Sequence, residues 1–140
     1  MRVTAGRYLA RGEELENSKT TILIVEDNDD VRESLALLFD NAGFAVRLAA
    51  DGIFALTTLA DHRPDVMVSD LNMPRLGGQE LLRLVRQCYP EVRTVAMSGE
   101  FSAGITPSNI VADAFFAKGS DPSSRLLEIL SAFDCPSRSS

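Results

Sequence analysis

Five side chains that could do chemistry follow four short apolar runs in the sequence. Glu26 and Asp27 close the first run, Asp70 the second, Ser98 the third and Lys118 the fourth. In an open α/β sheet, ligands bind at the edge formed by the carboxyl ends of the parallel strands. If each run is a buried strand, all five side chains lie at that one edge. The pattern therefore predicts a site of three carboxylates, one hydroxyl and one ammonium group.

Three carboxylates cannot share such a site without compensation. Two like charges ~4 Å apart repel by about 4 kcal/mol at an effective dielectric constant of about 20, so the cluster must protonate, pair with a cation or bind a metal ion. Oxygen ligands of this kind suit Mg²⁺, which keeps several waters and accepts phosphate oxygens. Together with Lys118 and Ser98, the metal would cradle a phosphoryl group. Asp70 is then the natural nucleophile, because a carboxylate can form an aspartyl phosphate.

The elements that must position these residues alternate between strand and helix, which is typical of a (βα)5 fold. The predicted strands are Thr21–Val25, Phe44–Ala50, a strand ending at Asp70, Val92–Ser98 and Ala114–Lys118. Asp29 or Asp30 is predicted to cap a helix that stops at Gly43, and further helices are predicted over about Ile53–Ala60 and about Gln79–Cys88. The last helix is predicted to have Asp121 as cap and Pro122 at the first helical position. The fold class is therefore α/β, a doubly wound sheet of five parallel strands.

One stretch departs from this regularity. The segment Phe101–Asp113 contains Gly104 and Pro107, which disfavour a full helix. Thr106 as a cap with Pro107 at the first helical position would permit only a turn or two. We therefore expect a shortened or irregular fourth helix.

Composition limits the class of protein. The chain has 140 residues, enough for one domain with a real core. Its net charge of −6 and its lack of a Lys/Arg cluster argue against direct binding of nucleic acid. It has no apolar run of membrane-spanning length. Its two cysteines lack metal-binding spacing, which favours a cytoplasmic location, and its one histidine, His62, is predicted to lie in an exposed loop without a chemical role.

Over about residues 20–135 the chain resembles the response regulator receiver domain of two-component signal transduction (the CheY-like superfamily). That family has an acidic pair after strand one, a phosphoacceptor aspartate after strand three, Thr or Ser after strand four and Lys after strand five. Here these positions hold Glu26 and Asp27, Asp70, Ser98 and Lys118.

The loop after the phosphoacceptor also fits the family, with Met73-Pro74 followed by Gly77-Gly78. The resemblance implies the flavodoxin-like strand order 2-1-3-4-5. It divides the chain into a tail or linker (residues 1–19), a receiver domain (residues 20–135) and a C-terminal tail (residues 136–140).

The resemblance also implies how the site works. Asp27 and Asp70 would bind Mg²⁺ directly, Asn72 through its backbone carbonyl and Glu26 through a water. Asp70 would receive phosphate from a phosphohistidine on a histidine kinase or a histidine phosphotransfer protein.

Other positions would read and remove that phosphate. Ser98 and Lys118 would contact the phosphoryl oxygens, and Ser98 with Phe115 would form the conformational switch that controls a downstream protein. The alternative for Phe115 is plain core packing. Asn72 and Glu100 would tune the loss of phosphate, which predicts a short-lived phosphorylated state, and their alternative is that of solvated loop residues.

Three features depart from the family. Gly119 follows Lys118 where the family usually has a proline, which predicts a more mobile loop. The segment before the fifth strand is helix-poor, which argues against ordinary dimerisation through the fourth-helix face. We also expect no output domain within these 140 residues. The chain could be a free-standing regulator or a domain excised from a hybrid kinase, since Arg7–Arg11 and the acidic stretch after it faintly resemble the end of a kinase catalytic domain.

The sequence favours a phosphorylation-dependent switch rather than a turnover enzyme. The first alternative is a phosphate-independent interaction module, or pseudo-receiver. The second is a Mg²⁺-dependent phosphohydrolase with an aspartate nucleophile. That class needs a second aspartate two residues after the nucleophile as general acid, and this chain has Asn72 there.

Overall fold

The computed structural model describes residues 19–73, 75–99 and 110–133. Its centre is a sheet of five parallel strands, and they are β1 (Thr21–Val25), β2 (Ala45–Ala49), β3 (Val66–Asp70), β4 (Arg93–Ser98) and β5 (Ala114–Ala117). The strand order is β2-β1-β3-β4-β5. This confirms the predicted doubly wound, flavodoxin-like fold.

Four helices are described, and they are α1 (Asp29–Asn41), α2 (Gly52–Asp61), α3 (Gly78–Cys88) and α4 (Ser123–Ala132). None of the four has the length and apolar character needed to cross a membrane. The predicted irregular fourth helix falls mostly on residues 101–109, outside the described residues. Ile110–Asp113, which are described, form neither helix nor strand.

Helices cover both faces of the sheet, so its strands are apolar on both sides. Consecutive residues of β1 point into opposite core clusters. Ile24 packs in a cluster with Phe39 of α1, to which α4 also contributes. Leu23 packs in a second cluster with Leu59 of α2, to which α3 contributes. Because all five strands are parallel, their carboxyl ends come out at one edge of the sheet.

Two predicted helix caps are wrong. Neither Asp29 nor Asp30 caps α1, because the side chain of Asn28 accepts the hydrogen bond from the Val31 amide at 3.0 Å. The two aspartates lie in the first turn, where the helix dipole favours negative charge without a capping bond. The predicted end is confirmed, since Gly43 follows α1 with a φ of 99°.

The last helix also begins one residue later than predicted. Pro122 is the cap residue and Ser123 the first helical residue. Asp121 does not cap the helix; its Oδ2 accepts a hydrogen bond from the Ala117 amide at 2.9 Å. Ala117 belongs to an edge strand, and this amide points away from β4. The bounds of β1 and the end of β3 match the prediction, and the other predicted strand and helix bounds differ by one residue at one end or at both.

Candidate functional site

The three predicted carboxylates meet at the carboxyl edge of the sheet. Glu26 and Asp27 follow β1, and Asp70 is the last residue of β3. One carboxylate oxygen from each lies within 4.8 Å of the others. Glu26 is 1% exposed and Asp70 3% exposed, whereas Asp27 is exposed. The site therefore concentrates negative charge at a partly desolvated edge.

Lys118 brings a positive charge into this cluster from the end of β5. Its Nζ lies 3.1 Å from Glu26 Oε1 and 3.3 Å from Asp70 Oδ2. Burial lowers the pKa of Lys118, but the hydrogen bond to Glu26 and the charges of Asp70 and Glu26 outweigh it, so the net shift is upward. The lysine therefore stays an ammonium group that bridges two carboxylates.

Both carboxylate oxygens of Glu26 are bonded. Its Oε2 accepts a hydrogen bond from the Asn28 amide at 3.2 Å, while its Oε1 faces Lys118. Burial raises the pKa of Glu26 and the charge of Asp70 adds to this, while the bonds from Asn28 and Lys118 act in the opposite direction. The net shift is upward, because desolvation penalises the charged form.

Asn72 connects the aspartate of β3 with the serine of β4. Its backbone amide donates to Asp70 Oδ1 at 3.1 Å, and its side-chain Nδ2 lies 3.4 Å from Ser98 Oγ. Ser98 is 2% exposed, and its carbonyl accepts a bond from the Lys118 amide at 3.0 Å. Ser98 and Asn72, both predicted as site residues, thus lie beside Asp70.

Two predicted site residues remain, and the structure describes Phe115 but not Glu100. Phe115 is half-buried and packs against the core cluster that contains Leu23, whereas Phe116 is buried in the other cluster. The position of Phe115 is thus consistent with core packing, and its switch role stays a prediction. Glu100 lies outside the described residues.

Gly119 shapes the loop after Lys118. Its φ is 85°, a conformation that proline cannot adopt, and no cis peptide bond occurs in the described part of the chain. The loop closes on Ala117, whose carbonyl accepts bonds from the amides of Ser120 at 3.3 Å and Asp121 at 2.9 Å. The predicted mobility of this loop stays a prediction; the structure describes it as a turn tied at both ends.

Arg32 lies near the site and was not among the predicted site residues, whereas Gly78 belongs to the Gly77-Gly78 pair noted in the sequence. Arg32 of α1 donates from Nη1 to the backbone carbonyl of Glu26 at 2.8 Å. Gly78, the first residue of α3, lies so close to Asp70 that an added Cβ would be 2.3 Å from its carbonyl oxygen. The spacing of Arg32, four residues after the cap Asn28, is a signal that could have placed it over the first turn of α1.

The donor set fits a hard divalent cation. Three carboxylates converge, one of them exposed, and oxygen ligands with room for water are those that Mg²⁺ accepts. The single lysine leaves the cluster with net negative charge when all three carboxylates are ionised. The residues therefore fit Mg²⁺ chemically.

Comparison with known proteins identifies the family of this chain. Residues 22–130 match the family described as the response regulator receiver domain. The response regulator MprA of Mycobacterium sp. (strain KMS) is 40% identical over 81 residues, which are 58% of this chain and 35% of that protein. The MprA of Mycobacterium tuberculosis (strain ATCC 25177 / H37Ra) is 48% identical over 65 residues, 46% of this chain and 28% of that protein. The matched part is thus about a third of the length of these relatives.

Solved structures give the same result. The chemotaxis response regulator CheY4 of Vibrio cholerae superimposes with a TM-score of 0.72 at 27% identity, covering 82% of this chain and 99% of CheY4. A putative response regulator from Chloroflexus aurantiacus gives a TM-score of 0.70 at 31% identity, with 81% and 96% coverage. The chain belongs to the response regulator receiver domain family of two-component signalling.

Proposed function

We propose that this domain is a phosphoacceptor in a two-component phosphorelay, with Asp70 as the residue that takes the phosphoryl group. The carrying observation is the setting of the Asp70 carboxylate. It is 3% exposed, has Lys118 Nζ 3.3 Å from one oxygen and the Asn72 amide 3.1 Å from the other, and lies beside Glu26 and Asp27. These contacts orient both oxygens before any phosphoryl group arrives.

The donor is a phosphohistidine on a histidine kinase or a histidine phosphotransfer protein. An Asp70 oxygen attacks phosphorus, forming the new O–P bond while the P–N bond breaks. The electron pair of that bond leaves with the imidazole nitrogen. The product is an acyl phosphate on Asp70. Water later attacks its phosphorus, the bond between phosphorus and the Asp70 oxygen breaks, inorganic phosphate leaves and the carboxylate is restored.

Mg²⁺ is the proposed cofactor. Asp27 and Asp70 would bind it directly, Asn72 through its backbone carbonyl and Glu26 through a water. When bound, the ion offsets negative charge on the phosphoryl oxygens. The exposed position of Asp27 and the burial of Asp70 support an ion that retains water on one side.

Lys118 and Ser98 would contact the phosphoryl oxygens. Phosphorylation replaces a carboxylate oxygen by a larger group with more negative charge, which draws the Ser98 hydroxyl and the Lys118 ammonium toward it. Movement of Ser98 would release its contact with Asn72 and shift the Ser98–Phe115 face that controls a downstream protein. Asn72 and Glu100 would set the rate at which water removes the phosphate.

The test is the intact mass of the protein after incubation with acetyl phosphate and Mg²⁺. We expect a phosphoryl adduct on the wild type, none on Asp70→Asn, and a normal adduct on the control Asp61→Asn, an exposed aspartate at the end of α2. An adduct on Asp70→Asn equal to that of the wild type would contradict the proposal. No adduct on the wild type, together with no Mg²⁺ binding, would favour a phosphate-independent interaction module.

A further inference from the structure

We propose that Arg32 is a positioning residue that holds the peptide between Glu26 and Asp27 in the orientation needed for metal binding. This inference rests on the proposed Mg²⁺ site but goes beyond it, since Arg32 contributes no ligand atom. It assigns to α1 a part in building the site.

The guanidinium group of Arg32 donates hydrogen bonds to two different acceptors. Its Nη1 donates to the Glu26 carbonyl at 2.8 Å and its Nη2 to Asp29 Oδ1 at 2.5 Å. The side chain is only 16% exposed, and the Arg32 amide donates to the Asn28 carbonyl at 2.9 Å within the first turn of α1. The planar guanidinium group is thus fixed from two sides, which a lysine ammonium cannot reproduce.

The bonded carbonyl belongs to the peptide that leads into Asp27. The other polar groups of Glu26 are also bonded: its amide to the Ala49 carbonyl at 3.1 Å, its Oε2 to the Asn28 amide at 3.2 Å and its Oε1 to Lys118 at 3.1 Å. Arg32 supplies the remaining contact and so fixes the plane of the Glu26–Asp27 peptide.

Asp27 depends on this backbone for its direction. Its carboxylate is exposed and, within residues 19–73, 75–99 and 110–133, makes no hydrogen bond or ion pair with the protein. A ligand with no side-chain support is oriented by the backbone that carries it. Loss of the Arg32 bond would free the peptide and spread the directions in which Asp27 can point.

Because Arg32 is positively charged, the direction in which its substitution changes Mg²⁺ affinity tests this inference. A guanidinium group near a divalent cation repels it, so removing that charge should strengthen Mg²⁺ binding if electrostatics alone matter. Positioning predicts the opposite result, because a disordered ligand binds the metal less tightly. Residues that support metal ligands typically change metal affinity by about 10–100-fold when they are mutated.

The experiment measures Mg²⁺ affinity by titration calorimetry for the wild type, Arg32→Met, Arg32→Lys and the control Arg83→Met. Arg83 is an exposed residue of α3, so its substitution removes the same charge away from the peptide. We expect Arg32→Met to bind Mg²⁺ about tenfold more weakly, Arg32→Lys to be intermediate and Arg83→Met to match the wild type. Circular dichroism and thermal unfolding without metal establish that each variant is folded.

A second readout separates positioning from general damage. At saturating Mg²⁺, the rate of Asp70 labelling by acetyl phosphate should return close to the wild-type rate in Arg32→Met, because the bonds of Asp70 to Asn72 and Lys118 do not involve Arg32. If Arg32→Met does not fold, the intermediate affinity of Arg32→Lys carries the test.

Equal or tighter Mg²⁺ binding by the folded Arg32→Met variant would overturn the inference, as would wild-type affinity in Arg32→Lys if only that variant folds. A wild type that binds no Mg²⁺ and takes no phosphate would instead overturn the proposed function. The two failures are therefore distinguishable.

Discussion

Carboxylates lie at both edges of the sheet, and the two edges satisfy them in different ways. At the amino edge, Asp65 Oδ2 accepts a bond from the Thr21 amide and Asp113 Oδ2 one from the Thr94 amide, each at 2.9 Å. At the carboxyl edge, the carboxylates of the site face one another and share a lysine.

Negative charge stabilises the fold at the amino edge and destabilises it at the carboxyl edge. A carboxylate bonded to backbone amides ties two strands together and stabilises the fold. Carboxylates that converge on each other repel, and the free energy of unfolding is lower for it. The charge at the carboxyl edge suits a cation, and substitutions that remove a carboxylate should change stability with opposite signs at the two edges.

The largest expected change is at the residue that holds the carboxyl edge together. Lys118→Met would leave the nearly buried Glu26 and Asp70 without their shared cation. We expect the free energy of unfolding without Mg²⁺ at neutral pH to fall by about 3 kcal/mol, measured by urea denaturation. Lys19→Met, which removes an exposed lysine before β1, is the control and should change little. A wild-type value for Lys118→Met would show that this pairing does not compensate the carboxylates.

The next effect belongs to the amino edge. Asp113→Ala would leave the Thr94 amide without the acceptor that it has at 2.9 Å, so we expect a loss of about 1–2 kcal/mol in the free energy of unfolding. Asp113→Asn keeps an acceptor oxygen and is the matched control, with a smaller loss. Asp70 labelling should be unchanged in both. Reduced labelling in a folded Asp113→Ala variant would mean that the two edges are not independent.

The third prediction concerns pH at the carboxyl edge. Burial raises the pKa of Glu26 above its ordinary value of 4.5, so the folded protein binds more protons than the unfolded chain between the two values. The free energy of unfolding without Mg²⁺ should therefore fall as the pH rises through that window, by at most about 1.4 kcal/mol per pH unit for one group. Glu26→Gln should remove this part of the slope. An unchanged pH profile in the variant would contradict it.

The smallest expected effect is a stabilisation. Asp27 has neighbouring carboxylates and no protein partner in the described part of the chain, so Asp27→Asn removes repulsion and no bond. We expect a gain of about 1 kcal/mol in the free energy of unfolding without Mg²⁺, since solvent screens an exposed charge. Asp61→Asn, far from the cluster, serves as the control. A lower free energy of unfolding for Asp27→Asn than for the wild type would contradict the prediction, because it would mean that Asp27 makes a stabilising contact.

The sequence predicted the sheet and the meeting of the site residues because both follow from short apolar runs. Each run must be covered on both faces, and a strand that ends in Asp70 or Ser98 delivers that residue to the carboxyl edge. The strand order came from the resemblance to the family, since apolar runs do not state which strands are neighbours.

The sequence did not predict which residue caps each helix, because several similar side chains close to one another compete for the same hydrogen bonds. Asn28, Asp29 and Asp30 could each cap α1, and only the backbone path selects Asn28. Asp121 bonds to the amide of an edge strand instead of capping its helix, a choice made by strand pairing. The spacing of Arg32 could place it over the first turn of α1, but the sequence does not identify the carbonyl that it binds, because every residue has a carbonyl.

The most direct test of the contrast between the edges is chemical denaturation of Asp27→Asn and Asp113→Ala with and without Mg²⁺. We predict that Mg²⁺ raises the free energy of unfolding of the wild type and of Asp113→Ala by the same amount, and raises that of Asp27→Asn far less. Without Mg²⁺, Asp27→Asn should be more stable than the wild type and Asp113→Ala less stable. Equal stabilisation of all three proteins by Mg²⁺ would contradict a metal site at the carboxyl edge.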